Sequence, residues 1–300
     1  MILISIGGAT SSGKSNLAKI AFDYLIKKKL KVEIINCDCR QIYTGLSISS
    51  GVDKQADMGV SFIGKFNLKD RISVVDYLKE FINEINSHKN TLDAVILVGG
   101  TGMYTKVITD RYKLTETKPG FQEDFDQLSS MLESKSKNEL QNILDNIDPK
   151  TFERLNNSDK NNPRRLKNFI LKSLGSKKSW YNFLQAPKFT KTIKLWAQIN
   201  GAQNSTKIGE NLKNRIKNGM VEEIISLIHI YGQERVKELG LGYTYGVDLF
   251  NKKINLEEWE EFTLRSEIQY SKRQVTWLKQ QDSIIIDSSK ALLLSIDTLL

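Results

Sequence analysis

The chain opens on an apolar run, Ile2-Leu3-Ile4-Ser5-Ile6, that ends at once in Gly7-Gly8. A short apolar run closed by glycines predicts a buried strand. Past the glycines, Leu17, Ala18, Ala21, Phe22 and Leu25 recur at helical spacing up to Lys27-Lys28-Lys29, so the start of the chain reads strand, loop, helix. Lys31–Asn36 predicts a second strand. Leu92–Val98 predicts a third, apolar throughout, as a parallel strand covered on both faces requires. Strands alternating with helices in this way imply a doubly wound α/β core.

From about Thr115 to Pro187 the strand pattern vanishes, and short amphipathic helices are expected at Phe121–Leu132, Lys137–Ile147 and Arg164–Leu174. Residues 115–187 therefore read as an all-helical subdomain inserted into a core made of residues 1–114 and 188–300. Lys191–Ile199 predicts a returning strand and Ser283–Ile286 a last short one. Between them, the helix around Leu264–Lys279 carries an apolar stripe of Leu264, Ile268, Val275 and Leu278, expected to be its packing face and to hold Trp277 in the core. Arg265, Lys272 and Lys279 follow on the adjoining face.

Composition narrows the class. A chain of 300 residues that is 40% hydrophobic can bury a normal core, which excludes disorder as the default. Its net charge of +9 points to a polyanionic partner, although a lysine-rich proteome produces the same excess. Cys37 and Cys39 are its two cysteines, too few for a metal site or a disulfide framework. A reducing compartment fits them, and the apolar runs are too short for a signal sequence or a spanning helix. The expectation is a cytoplasmic monomer with no membrane anchor.

The candidate chemistry lies at two strand ends. Gly8-Ala9-Thr10-Ser11-Ser12-Gly13-Lys14-Ser15 satisfies the P-loop pattern and stands between the first strand and the first helix. Its glycines let backbone amides turn around an anionic group, Lys14 adds a full charge, and the Ser15 hydroxyl can ligate Mg²⁺. The loop does not specify its phosphate compound; ATP is only the commonest. A nucleotide hydrolase carries an acidic residue at the end of a later strand. Here Val95-Ile96-Leu97-Val98 runs straight into Gly99-Gly100-Thr101-Gly102, without a carboxylate. The carboxylate comes instead after the second strand, in Asp38-Cys39-Arg40-Gln41-Ile42-Tyr43, where a parallel sheet would place it beside the P-loop. A loop aspartate in isolation is more often a turn former than a base.

The P-loop, then Asp-x-x-Gln-Ile-Tyr, then Gly-Gly-Thr-Gly-x-Tyr, resembles the tRNA dimethylallyltransferases, also called tRNA isopentenyltransferases. The resemblance continues through Asn162-Pro163-Arg164-Arg165-Leu166, Gly219-Met220-Val221-Glu222-Glu223-Ile224, Gly242-Tyr243 and Lys272-Arg273-Gln274-Val275-Thr276-Trp277, nearly the whole chain. It implies a P-loop NTPase-like parallel sheet core whose helical insertion grips the anticodon stem-loop of tRNA. The implied reaction moves a dimethylallyl group from dimethylallyl diphosphate to N6 of the adenine 3′ to the anticodon. Residues 8–15 would hold the diphosphate with Mg²⁺, and Lys14, Asp38 and Thr101 would serve catalysis. Asp38, Cys39, Arg40, Gln41 and Thr101, with Arg164 and Arg165, would face the tRNA.

Several family positions differ. Val60-Ser61-Phe62-Ile63-Gly64 stands where the family has His-His-Leu-Ile-Asp. The family's paired arginines fall on Lys207 and Asn211, the second of them a donor-diphosphate ligand in the family, with Arg215 one turn on as its candidate replacement. Asn168 and Ile268 stand at two further arginine positions, and Thr244-Tyr245 replaces a Lys-Glu pair. Three other readings share some of these features: an adenylate isopentenyltransferase acting on a free nucleotide, a small-molecule P-loop kinase, and a non-catalytic tRNA-binding paralogue.

Overall fold

The computed structural model describes residues 1–52, 59–88, 91–110, 115–116, 131–174, 176–177, 187–199 and 201–300. The chain divides into two compact units, Met1–Asp110 with Ala186–Leu300, and Arg111–Gln185.

The larger unit is built on β1 (Ile2–Gly7), β2 (Val32–Asn36), β3 (Ala94–Gly99), β6 (Thr192–Ala197) and β7 (Ile284–Ile286), all parallel in the order β2-β3-β1-β6-β7. The expected strands are all present, and the α/β class is confirmed. β1 is central, with Ile4 opposite both Ile96 of β3 and Ile193 of β6. Every residue of β3 is buried, which explains its uninterrupted apolar run. One core cluster joins Ile4, Ile6 and Ile96 to α1 (Lys14–Lys27) through Ala18, Ala21 and Leu25, and to α13 (Ser289–Asp297) through Leu292 and Ile296. The alternate strand residues Leu3, Ile35, Val95 and Leu97 are buried as well, so the sheet is covered on both faces.

α2 (Val74–Ser87) starts where the Ser73 hydroxyl accepts the Asp76 amide and the Asp76 carboxylate accepts the Ser73 amide, a complete capping box. Its Tyr77 stacks on Tyr104 of α3 (Gly102–Thr109) at 4.1 Å and donates its hydroxyl to the Asn36 carbonyl at 2.8 Å. This contact braces the end of β2, from which Asp38 emerges.

The smaller unit holds α4 (Lys137–Ile147), α5 (Pro149–Arg154), α6 (Asn157–Lys160) and α7 (Pro163–Leu174), packed around Leu132, Leu140, Leu144, Leu166 and Ile170. It also has a two-residue antiparallel ladder, β4 (Thr115–Glu116) with β5 (Ser176–Lys177). The helix expected at Phe121–Leu132 lies almost wholly outside the described residues. No described helix is long and apolar enough to cross a membrane.

The remaining helices are α8 (Gly201–Lys217), α9 (Met220–Tyr231), α10 (Gln233–Lys237), α11 (Gly242–Phe250) and α12 (Leu256–Leu278). α12 departs from expectation in its face. Leu264, Ile268, Val275 and Leu278 are only half-buried, while Trp259, Thr263, Glu267, Ser271 and Gln274 are buried. Trp277 is half-buried too, packed where a Cβ on Gly102 would fall 2.2 Å from its ring. Polar residues can occupy the inner face because distant segments meet them: Arg215 meets Glu267, Asn204 meets Ser271, and Thr10 meets Gln274. The helix begins at Leu256 because Asn255 caps it and Glu258 closes a capping box.

Candidate active site

The loop from Gly8 to Gly13 carries the chain from β1 into α1. Ser11 (φ 64°) and Gly13 (φ 81°) take left-handed conformations. At Gly13 the need for glycine is conformational, since an added Cβ would meet nothing within 4 Å. At Gly8 it is steric: a Cβ there would fall 2.1 Å from the Ser12 hydroxyl oxygen. Gly13 provides no side-chain cap for α1, in contrast to the capping boxes of α2, α4 and α12. The first amides of a helix have no partner within the helix itself, which suits a helix start to an anion.

Thr10, Ser11, Gly13, Lys14 and Ser15 line a cavity of about 650 Å³ together with Asp38, Arg40 and Gln41. Met220 and Gly242 line it too, so α1, α9 and α11 all begin at its wall, and none has a side-chain cap. A helix start favours a negatively charged neighbour, although that of α9 already carries Glu222 and Glu223 in its first turn. Gly8, Ala9 and Ser12 lie behind this lining and shape the loop. The Ala9 carbonyl accepts from the Lys14 ammonium at 3.4 Å and from the Ser12 amide at 3.2 Å.

Asp38 follows β2 at the carboxyl edge of the sheet. Its Oδ1 accepts the amides of Arg40 at 3.0 Å and Gln41 at 3.4 Å, which fixes the carboxylate's orientation and leaves Oδ2 out of the turn. The Thr101 hydroxyl accepts the Cys39 amide at 2.9 Å, and the Thr101 amide donates to the Cys37 carbonyl at 3.2 Å. The strand ends carrying Asp38 and Thr101 are thus stitched together. They approach so closely that a Cβ on Gly99 would fall 2.2 Å from the Cys37 carbonyl oxygen. Neither Thr101 nor Cys39 is part of the cavity lining. Burial pushes the Cys37 thiol up to about 12 and raises the Cys39 thiol as well, so neither is a ready thiolate. Arg40 donates to the Leu239 carbonyl at 2.9 Å and lies 5.1 Å over the Tyr270 ring. Burial, reinforced by the Asp38 carboxylate, pushes the Tyr270 phenol up to about 12, which keeps it protonated at neutral pH.

The far wall is the segment Ser47–Val52, held by side chains from several elements. Glu223 accepts the amides of Ile48 at 2.9 Å and Ser49 at 2.8 Å, and also the Ser49 hydroxyl. Gln41 donates to the carbonyls of Ser50 and Gly51, both at 3.3 Å. Arg215 donates to the Ser49 carbonyl at 2.8 Å and forks onto both oxygens of Glu267 at 2.8 and 2.6 Å. Arg215, the candidate replacement for the missing cation, does line the cavity, and there its charge is paired with Glu267, which is 6% exposed. Asn211, at the uncharged position, reaches the P-loop with its amide, donating to the Ser11 hydroxyl at 2.9 Å. Arg215→Ala would leave Glu267 buried without a partner and is expected to lower the unfolding free energy by about 3–5 kcal/mol. Urea denaturation measures this, and a loss below about 1 kcal/mol would mark the pair as no stronger than a surface one.

Arg164 and Arg165 belong to the smaller unit, exposed on the first turn of α7, where Arg165 pairs with Asp159 at 2.5 Å. Sequence reading gave no site role to Glu267, Tyr270, Gln274 or the Ser47–Val52 wall. The available signal was the spacing of Thr263, Glu267, Ser271 and Gln274, a polar column on one helix face.

Fold and cavity together define an α/β P-loop protein whose phosphate-loop sequence and Asp38 line one cavity. The family model described as IPP transferase matches residues 41–281, and the chain belongs to that family. It is 29% identical over 292 residues to the tRNA dimethylallyltransferase of Gloeothece citriformis, covering 94% of this chain and 90% of that one. Among solved structures it is similar to a eukaryotic dimethylallyltransferase acting on tRNA, with a TM-score of 0.74 at 21% identity, covering 99% of this chain and 79% of the other. It is also similar to the full-length tRNA isopentenylpyrophosphate transferase of Bacillus halodurans, with a TM-score of 0.66 at 20% identity, covering 99% and 95%.

Proposed function

We infer that this chain is a tRNA dimethylallyltransferase. The observation that carries the reading, beside family membership, is one cavity in which an uncapped helix start and Lys14 face the Asp38 carboxylate. In the proposed reaction the N6 amine of the adenine 3′ to the anticodon attacks C1 of dimethylallyl diphosphate. The C1–O bond breaks, and its electron pair leaves on the diphosphate. The surplus proton of N6 passes to Asp38. Lys14 and the helix start that follows Gly13 neutralise the charge that develops on the leaving group. The acceptor adenine must leave its stack to reach this cavity; Gln41, which lines it, is the proposed contact to the base or its backbone, and Thr101, behind the lining, the proposed support of the Asp38 segment.

Mg²⁺ fits the donor set, because it takes hard oxygen ligands and is held largely by phosphate and water. The Ser15 hydroxyl, lining the cavity in the first turn of α1, would be its protein ligand. The ion would neutralise diphosphate oxygens as the allylic bond breaks. The unit Arg111–Gln185, with Arg164 and Arg165 exposed, is the proposed tRNA-binding element, joined by Cys39 and Arg40 beside the acceptor.

The test is to incubate the protein with Mg²⁺, dimethylallyl diphosphate and unmodified tRNA whose anticodon is followed by adenine, then to digest the RNA and search for N6-prenylated adenosine by mass spectrometry. The product is expected with tRNA and not with AMP. Prenylated AMP alone would move the assignment to the free-nucleotide enzyme; tRNA binding without product in either tube would make the chain a binding paralogue. A steep fall of tRNA affinity with salt is expected alongside, since each neutralised phosphate releases a counterion.

A further inference from the structure

Gln274 is 7% exposed on the inner face of α12, and both polar atoms of its carboxamide are engaged. Its Oε1 accepts the Thr10 amide at 2.9 Å and the Thr10 hydroxyl at 3.2 Å, while its Nε2 donates to the Gly100 carbonyl at 3.0 Å. The partners dictate the orientation of the amide, because a backbone N–H only donates and a backbone carbonyl only accepts. The side chain also occupies the space left by a missing side chain: a Cβ on Gly100 would fall 2.4 Å from Nε2.

The two partners belong to the two halves of the candidate site. Thr10 lies in the P-loop and lines the cavity. Gly100 precedes Thr101, whose hydroxyl holds the Cys39 amide beside Asp38. One carboxamide, delivered by a helix far along the chain, therefore bridges the phosphate loop and the carboxylate segment just beyond the Gly7–Gly99 end of the β1–β3 pairing. A reaction between a bound diphosphate ester and a bound amine depends on the spacing of those two segments, since a misplacement of about 1 Å can lower the rate about 10²-fold.

We propose that Gln274 is a positioning residue for prenyl transfer, setting the P-loop in register with the Asp38–Thr101 segment. The inference rests on reading the cavity as a diphosphate site. Two variants of the full chain test it: Gln274→Met, which keeps the length and loses both hydrogen-bonding functions, and Gln274→Glu. In the second, an ionised carboxylate would still accept from Thr10 but would turn a negative oxygen toward the Gly100 carbonyl. A protonated carboxyl would restore both bonds. Burial raises such a carboxyl above the ordinary carboxylate range, so the restored function is present below that raised pKa and lost as pH rises through it.

Inorganic pyrophosphate binding with Mg²⁺, measured by calorimetry between about pH 5.5 and 8, a window chosen to span such a raised carboxyl pKa, is read beside steady-state transfer. Gln274→Met is expected to lose about 10²-fold in kcat/KM at every pH, chiefly in kcat, with the KM for tRNA unchanged and pyrophosphate binding weakened. Gln274→Glu is expected to be equally impaired at the alkaline end and to regain pyrophosphate affinity relative to the unsubstituted protein as pH falls. Repulsion of the phosphate by the new carboxylate would produce that recovery too, but it would leave Gln274→Met like the unsubstituted protein. A Met variant within about twofold of the unsubstituted protein overturns the proposal. So does a Glu variant with no relative gain at low pH, which decides the matter if the Met variant does not fold. If the unsubstituted protein binds pyrophosphate but forms no prenylated product, the functional reading fails and the pyrophosphate comparison still decides on Gln274. If it binds no pyrophosphate, the proposal falls with the diphosphate site.

Discussion

Asp38→Asn is expected to lower kcat for prenyl transfer by about 10²- to 10⁴-fold, the range for removing a general base, while tRNA affinity is retained. The substitution separates chemistry from folding. Oδ1 of Asp38 accepts the amides of Arg40 and Gln41, and the carbonyl oxygen of an asparagine accepts the same two donors. The turn and the Cys39–Thr101 stitch should survive, so an unchanged melting temperature is part of the expected result. What is lost is an oxygen able to take the proton released when the aryl amine attacks. Steady-state kinetics with tRNA and dimethylallyl diphosphate measure it, and a kcat within tenfold of the unsubstituted protein would remove Asp38 from the base role.

Lys14→Met is expected to reduce kcat/KM by about 10²- to 10³-fold, comparable to deleting one preorganised donor to a developing negative charge. Methionine keeps most of the apolar stem, so the start of α1 should fold as before. The ammonium contributes a full charge where the helix start contributes only partial ones. Pyrophosphate binding should weaken by about 1.5–3 kcal/mol, the scale of a hydrogen bond to a charged group. Calorimetry with pyrophosphate and Mg²⁺ tests this directly. A change smaller than about fivefold would assign the phosphate charge to the helix amides and the metal rather than to Lys14.

The departures from the family pattern are reinterpreted by the fold. Asn211, where a cation was expected, reaches Ser11 of the P-loop, and Arg215 lines the cavity with its charge already held by Glu267 and the Ser49 carbonyl. Ser61, in the segment lacking the family's histidines, pairs with Ile35 alongside β2 and donates its hydroxyl to Glu33 at 2.7 Å, while Phe62 is buried. That segment supports the strand that presents Asp38.

The parallel sheet, the P-loop and the place of Asp38 were legible in the chain because each depends on contiguous residues. Apolar runs report strands buried on both faces, Gly8 and Gly13 report a turn that only such residues permit, and a carboxylate after a parallel strand must emerge at the sheet's carboxyl edge. The rest of the site came from contacts between segments far apart in the chain. The apolar stripe of α12 reads as its packing side, whereas the structure buries a polar column instead. Burial of Glu267 and Gln274 becomes favourable only because Arg215 and Thr10, distant in sequence, satisfy their polar atoms. Hydrophobic periodicity describes how one element meets an average interior, whereas the cost of burying a polar side chain depends on the particular partner that the fold brings to it.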